Sequence, residues 1–432
     1  MSLINGIYKQ RKLKLSVTLF FFFCFLASNA FSQYKNITVN KSRTIFEPEE
    51  PAITINPTNP LNILAAANID FYYYTFDGGA TWTEGKLPGP IVYGDPVVYF
   101  DAMGNAYYTH LGPFNKTGIY WAKSTDGGVT WSDSHKIYGE GNEPFQDKEW
   151  ITSDVTNSPF KNNLYVSWTQ FDKYESKNPK DSSIILFSRS TNLGTSFTYP
   201  IRISDLGGDS KDGDSTVEGA VSCVGPEGQV YVAWAGPRGI EFDKSLDGGM
   251  TFNKDVWVCN QVGGWAYDIP GLYRCNGLPF TACDISNSKY NGTIYINFSD
   301  ERNGDHDVFI VKSTDEGATW GEPVRVNNDE LGNGKEQFMS NFSVDPATGY
   351  IYVLFYDRRR YDDNQTDVVL AVSKDGGETF ENMMISDSPF IPVKRIFFGD
   401  YIDIDVLNGL VACVWTRMDN EKLSIIFWKE QF

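Results

Sequence analysis

Ser124-Thr125-Asp126-Gly127-Gly128-Val129-Thr130-Trp131 is the stretch whose reading decides the fold. Its pattern, Ser/Thr-x-Asp-x-Gly-x-Thr-aromatic, returns at Thr75–Trp82, Ser245–Phe252, Ser313–Trp320 and Ser373–Phe380. A weaker copy occupies Ser190–Phe197, with Asn192 for the Asp and Ser196 for the Thr. Between two apolar runs, such a phrase is a hairpin signal: the carboxylate accepts from turn N–H groups and the Gly takes a positive φ. The closing aromatic begins the returning strand and points into an apolar layer. Six copies, at intervals of 49, 66, 55, 68 and 60 residues, predict a repeat architecture.

Each phrase is preceded by a pair of short apolar runs, and there are seven such openings for six phrases. They begin at Pro51–Asn56, Pro96–Phe100, Trp150–Ser153, Ala220–Val224, Phe280–Asp284, Phe338–Val344 and Ile402–Val406. The spacing predicts an all-β propeller of four-stranded blades, with about 57 residues to each of seven blades. The last unit ends at Leu423–Trp428, one strand short. The isolated run Asn36–Asn40 is expected to supply the missing outer strand and close the ring, since an open edge invites aggregation. A six-bladed ring with one irregular unit is the alternative.

The phrase resembles the Asp-box of the sialidase superfamily. That resemblance spans residues 33–432 and implies a propeller whose boxes lie on the face opposite the active site. The boxes themselves read as structural turns.

Residues 1–32 read as a signal peptide: Lys9, Arg11, Lys12 and Lys14 precede the apolar run Leu15 to Leu26, and small residues around Ala30 follow. The apolar run is short for a bilayer span, so no anchor is expected after cleavage. Residues 33–432 read as one domain, expected to act as a monomer in the periplasm, at the cell surface or outside the cell. The chain carries −18, and loss of the four leader cations gives −18 − 4 = −22. Such a charge disfavours nucleic acid as a partner. Of five cysteines beyond the leader, Cys259 and Cys275 flank one predicted loop and are expected to form a disulfide. With three histidines and no Cys-x-x-Cys, a zinc centre is not indicated.

In a propeller of this topology the inner strands begin, and the second strands end, on the face away from the boxes. The residues there are charged. Glu49, Glu50, Asp95, Asp147, Lys148, Glu149, Glu218 and Asp400 open inner strands. Asp70, Arg238, Arg302, Arg358 and Arg417 close second strands. Such a convergence marks a ligand site, or ion pairs that tie neighbouring blades. The loop Asp205–Glu218 holds Asp209, Asp212 and Asp214, oxygen donors that suit Ca²⁺ or a solvated acidic loop. The loop Gly263–Leu278 offers Trp265, Tyr267, Tyr273 and Arg274, which suit a sugar or a packed plug over the channel.

The sialidase resemblance implies three arginines on a substrate carboxylate, a Tyr/Glu nucleophile pair and an Asp acid/base. The matching positions are Tyr401, Glu218 and Asp70, with Arg238, Arg274, Arg302, Arg358 and Arg417 as substrate-binding candidates beside Trp265, Asp95, Asp147 and Asp400. The family's Phe-Arg-Ile-Pro motif has no counterpart; the chain reads Phe46-Glu47-Pro48-Glu49 there. The resemblance thus implies an exported glycoside hydrolase, most simply an exo-α-sialidase, needing no cofactor. A non-catalytic carbohydrate-binding or protein-interaction propeller is the alternative.

Overall fold

A computed structural model describes residues 35–89, 92–139 and 141–432. The expected leader lies outside the described residues. Among those described, no helix is long and apolar enough to cross a membrane.

Seven four-stranded antiparallel sheets follow one another along the chain, and a two-stranded hairpin, Ala266–Tyr267 with Cys275–Asn276, is inserted between the fourth and fifth. The inner strands are Ala52–Ile55, Val97–Phe100, Phe145–Ser153, Glu218–Val224, Phe280–Cys283, Gln337–Val344 and Asp403–Leu407. Each touches the inner strand of the next blade, and the last touches the first, so the ring closes. The seven-bladed expectation holds. Second strands are mostly apolar because both their faces are covered; every residue of Leu164–Phe171, Val230–Gly236 and Ile351–Asp357 is buried.

The last blade is completed from the other end of the chain. Ile37 pairs with Phe427 and Thr38 with Ile426, and the Val39 N–H donates to the Ile425 carbonyl at 2.9 Å. This is the strand predicted to close the ring.

The boxes explain how blades join. In the box at 124–131, Asp126 Oδ1 accepts from the Thr130 N–H at 2.9 Å and the Ser124 hydroxyl at 2.8 Å, while Oδ2 accepts from the Thr130 hydroxyl at 2.6 Å. Gly127 and Gly128 turn the chain at φ 77° and 91°. The closing aromatic then packs on the third strand of the preceding blade: Trp131 on Tyr72, Phe197 on Trp121, Phe252 on Phe187 and Trp320 on Phe242. Trp82 of the first blade meets Phe427 of the seventh, with ring centroids 5.0 Å apart. A basic residue just before the box reaches forward in return. Lys123, Arg189, Lys244 and Lys312 donate to carbonyls in the next blade's box turn at 2.7–2.8 Å.

On the opposite face the inner strands begin with a bulge. Pairing with the second strand slips between Asp147 and Trp150, between Glu218 and Val221, and between Phe338 and Asn341. Lys148, Gly219 and Met339 sit at the slips with φ of 51°, 72° and 48°; Glu50 and Asp95 adopt 54° and 52° in the corresponding places. Side chains are rare in that region, and such positions concentrate at functional sites. The bulges at Lys148 and Gly219 adjoin Asp147, Lys148 and Glu218, which line the cavity on the ring axis.

The free thiols correct one expectation. Cys259 and Cys275 form no disulfide. Cys259 ends the outer strand of blade 4 and packs in the apolar cluster between blades 4 and 5, whereas Cys275 lies in the inserted hairpin and packs against blades 6 and 7. Flanking a loop in sequence did not bring them onto one core.

Candidate functional site

The axis of the ring holds two cavities. The one toward the box face, about 230 Å³, is lined by all seven inner strands and is mostly apolar. The one at the strand-opening face, about 480 Å³, is polar. Asp95, Asp147 and Lys148 line it from blades 2 and 3, Glu218 from blade 4, Asp400 from the approach to blade 7, and Glu175 and Asp212 from the loops of blade 3. The inserted hairpin roofs it with Trp265, Tyr267, Asp268, Arg274 and Asn276. Its volume falls in the range of small-ligand sites.

The hairpin is fixed at several points. The Ala266 N–H donates to Asp214 Oδ1 at 2.8 Å, and the Tyr267 hydroxyl lies 2.6 Å from that of Ser299. Tyr267 also stacks on His306, with ring centroids 4.0 Å apart. Arg274 then reaches across the cavity and grips Asp400 through Nε, at 3.0 Å, and Nη2. Its Nη1 stands 3.7 Å from Asp212. Burial works against the Arg274 charge, but Asp400 more than offsets it and the guanidinium stays protonated.

The carboxyls crowd one another and several are buried. Burial, then the charges of Asp212 and Asp147, push Glu218 well above the usual carboxylate range. Burial and Asp95 do the same to Asp147. Behind them, burial raises Glu49 to about 8 and, helped by Asp95 and Asp400, lifts Glu50 well above its ordinary value. Glu149 is raised by burial and by Asp95. Asn68 organises this second row: its amide donates to Glu50 at 2.5 Å and to Glu49 at 3.2 Å, while its carbonyl accepts from the Asp95 N–H at 2.8 Å. Glu218 is 6% exposed and its Oε2 has no hydrogen-bond partner. A carboxyl that keeps its proton at neutral pH is a proton donor in waiting.

Of the residues singled out in the sequence, the cavity gathers Glu218, Asp95, Asp147, Asp400, Asp212, Trp265 and Arg274. Others stand elsewhere. Asp70 is paired with Lys86 of its own blade at 2.7 Å and does not line the cavity. Tyr401 is 3% exposed and lies beneath the cavity floor; its hydroxyl donates to the Pro96 carbonyl at 3.3 Å rather than to Glu218, and Lys148 Nζ sits 3.6 Å from its ring centre. Burial, with Glu50 and Asp95, holds the Tyr401 phenol well above its usual value. The expected Tyr401–Glu218 hydrogen bond is therefore absent, because the bulge turns Glu218 to the cavity while Tyr401 packs on Trp150.

Four of the five arginines are engaged locally. Arg238 grips Glu241 through two nitrogens at 2.8 and 2.6 Å, and Arg302 grips Asp300. Arg417 pairs with Asp419 and with the Ser388 carbonyl. Arg358 is buried against Thr366 and the Pro270 carbonyl, and burial lowers it to about 10. In the acidic loop, Asp209 pairs with Lys211 at 3.3 Å and Asp212 accepts from the Tyr174 hydroxyl at 2.5 Å, while Asp214 holds the hairpin. The three aspartates thus face different partners, and among the described residues no group of acidic, His or Cys side chains is placed to hold a metal ion.

Sequence reasoning did not single out Glu175, Asn276, Asn68 or Tyr174. Glu175 carries a detectable signal only in three dimensions, at φ 58° in a loop. Lys148 was legible, as the one base between Asp147 and Glu149.

Comparison with known proteins agrees with the fold. Residues 73–84 match a family model of the BNR/Asp-box repeat. No curated protein matches the chain. Among solved structures, a PL25 ulvan lyase superposes with a TM-score of 0.51 at 12% identity, covering 90% of this chain and 95% of that one. A protein of unknown function from Dyadobacter fermentans does so with 0.50 at 11%, covering 92% and 98%. A mutant α-L-arabinofuranosidase from Fusarium graminearum gives 0.50 at 12%, covering 79% and 98%. Repeat and architecture agree: the chain is a seven-bladed propeller whose blades are joined by Asp-box turns.

Proposed function

We propose that the protein is an exported glycoside hydrolase whose reaction takes place in the polar cavity beneath the inserted hairpin. The observation that carries this reading is the presence, within one sugar-sized cavity, of a buried carboxyl whose Oε2 has no hydrogen-bond partner, Glu218, and of a second carboxyl, Asp212, set 3.7 Å from Arg274. Glycosidic bonds are cut by two carboxyl groups of this kind. Glu218 would give its proton to the glycosidic oxygen as the bond to the anomeric carbon breaks. Water would add to that carbon and lose its proton to Asp212, which the Tyr174 hydroxyl orients. Trp265 and Tyr267 border the roof, where a sugar would meet aromatic carbon.

The structural relatives named above include a polysaccharide lyase and an arabinofuranosidase, which supports a glycan as the substrate class. The narrower reading, an exo-α-sialidase with Tyr401 as nucleophile, draws on the Asp-box resemblance. It is the weaker one, because among the described residues Arg274 is the single arginine lining the cavity. Ca²⁺ has no role in the proposed reaction. The chain would work as a monomer outside the cytoplasm.

Hydrolysis of a panel of fluorogenic glycosides, a sialoside among them, together with reducing-end release from polysaccharides, tests the proposal. Turnover that is lost in Glu218→Gln is expected. A wild-type chain that binds glycans on an array and cleaves none would instead make it a carbohydrate-binding propeller.

A further inference from the structure

A third pocket, about 490 Å³, lies away from the axis, at the seam between blades 2 and 3. One wall comes from the third and outer strands of blade 2, Ile119–Ser124 and His135–Tyr138, and the other from the box turn of blade 3. On a chain that carries −18, this pocket is basic. Lys123, His135 and Lys136 line it, and among the described residues no acidic side chain does. Lys123 Nζ donates to the Leu193 carbonyl at 2.8 Å, which uses one of its three N–H bonds. Asp101, whose charge reaches Lys123, is fully buried and stands outside the lining. The pocket is also aromatic: His135 and the half-buried Phe197 lie on Trp121, with ring centroids 5.2 and 5.7 Å away.

The box that forms this wall is the imperfect copy. Asn192 keeps the turn, since its Oδ1 accepts from the Ser196 N–H at 3.0 Å and its amide donates to the Ser196 hydroxyl at 2.9 Å. In the other five boxes an aspartate accepts from both the N–H and the hydroxyl of a threonine at that place. The turn survives the exchange, and a negative charge is withdrawn from a phrase whose next five residues all line the pocket. Turn formation alone gives no reason for that loss.

We infer that this seam binds an anionic saccharide, a sugar unit whose carboxylate or sulfate meets the basic wall while its ring lies along Phe197 and His135. The inference rests on the glycan reading of the axial cavity for the kind of ligand, and it concerns a separate site. Because the chain as a whole repels anions, retention of one has to come from a local surface of this kind.

Surface plasmon resonance of the full chain over immobilised dextran, carboxymethyl dextran, dextran sulfate and polyacrylate tests it. Binding to one or both charged dextrans, and more weakly to dextran and to polyacrylate, is expected; the dextran that is retained identifies carboxylate or sulfate as the group read. Asn192→Asp rebuilds the full box, so it should keep or raise the melting temperature while weakening that binding about fivefold. Lys136→Ala should weaken it about threefold, and both variants should hydrolyse small fluorogenic glycosides as the wild type does. Equal binding to all four surfaces, binding to none, a preference for polyacrylate, or binding untouched by Asn192→Asp would overturn the inference. Hydrolysis is scored apart from binding. A chain that cleaves no glycoside yet holds a charged dextran through this seam would sink the hydrolase and keep the inference; one that cleaves glycosides and ignores both charged dextrans would do the reverse.

Discussion

The two faces of the ring use the same side chains to opposite ends. At the box face, aspartates stand in shallow turns ringed by donors. Hydroxyl and N–H bonds from Thr319 hold Asp315 at about 2. Burial opposes the charge at Asp247 and Asp375, yet the equivalent bonds together outweigh it and bring both to about 2. At the other face, burial and neighbouring carboxylates raise Glu49 to about 8 and Glu218 well above the carboxylate range. An acid with three donors is a structural turn; an acid without them, crowded by its own kind, is poised for proton transfer. On the proposed reading, that difference is what puts the reaction at the strand-opening face.

The largest effect that would sharpen the contrast is on turnover. Glu218→Gln keeps shape and removes the transferable proton, so turnover should fall about 100-fold or more while the melting temperature holds. Normal turnover in a folded variant would move the chemistry elsewhere.

Next comes the closing strand. Removing residues 35–40 exposes the edge of Lys422–Gln431 and should lower the melting temperature by several degrees. An unchanged melting curve would mean that the ring closes without it.

A box substitution should cost less. Asp126→Ala leaves the turn donors of Thr130 and Val129 without their acceptor, a loss of about 1 kcal/mol given that the turn is exposed. Denaturant titration reads that loss, and turnover of the folded variant should match wild type. A selective loss of turnover would put the site on the box face.

The faces should also differ in their response to pH. Box aspartates, lowered in the folded state, stabilise it above about pH 4, and that contribution is lost as pH falls toward 2. Glu49 works the other way: the unfolded chain loses this proton near 4.5 and the folded chain near 8, so stability declines as pH rises across that window. Melting temperatures from pH 5 to 8 should fall less steeply in Glu49→Gln than in wild type. Identical slopes would contradict the buried-acid account.

The box face was legible in the sequence because it is local. One hairpin phrase carries its donors and acceptor within eight residues; its six repetitions announced a repeat fold, and the seven strand-pair openings gave the blade count and the missing strand. The basic residue before the box, Lys123, Arg189, Lys244 or Lys312, did not stand out in the sequence, because its target lies in the next blade. The mouth is not local. Its residues come from blades 2, 3 and 4, the last connection and an inserted hairpin, and their directions depend on bulges at Lys148 and Gly219 that no spacing rule reveals. Strand-end acids could be named, but Tyr401, next to Asp400, turns under the floor, while Arg238 and Arg302 close onto acids two or three residues away. Cys259 and Cys275 show the same limit for covalent pairing.

The measurement closest to the central claim is an infrared count of protonated carboxyls at pH 7. The account predicts a carboxylic C=O band in the folded wild-type protein that loses intensity in Glu218→Gln and Asp147→Asn and keeps it in Asp126→Asn. A folded protein with no such band at neutral pH, or one whose band disappears with the box residue and survives both cavity substitutions, would contradict it.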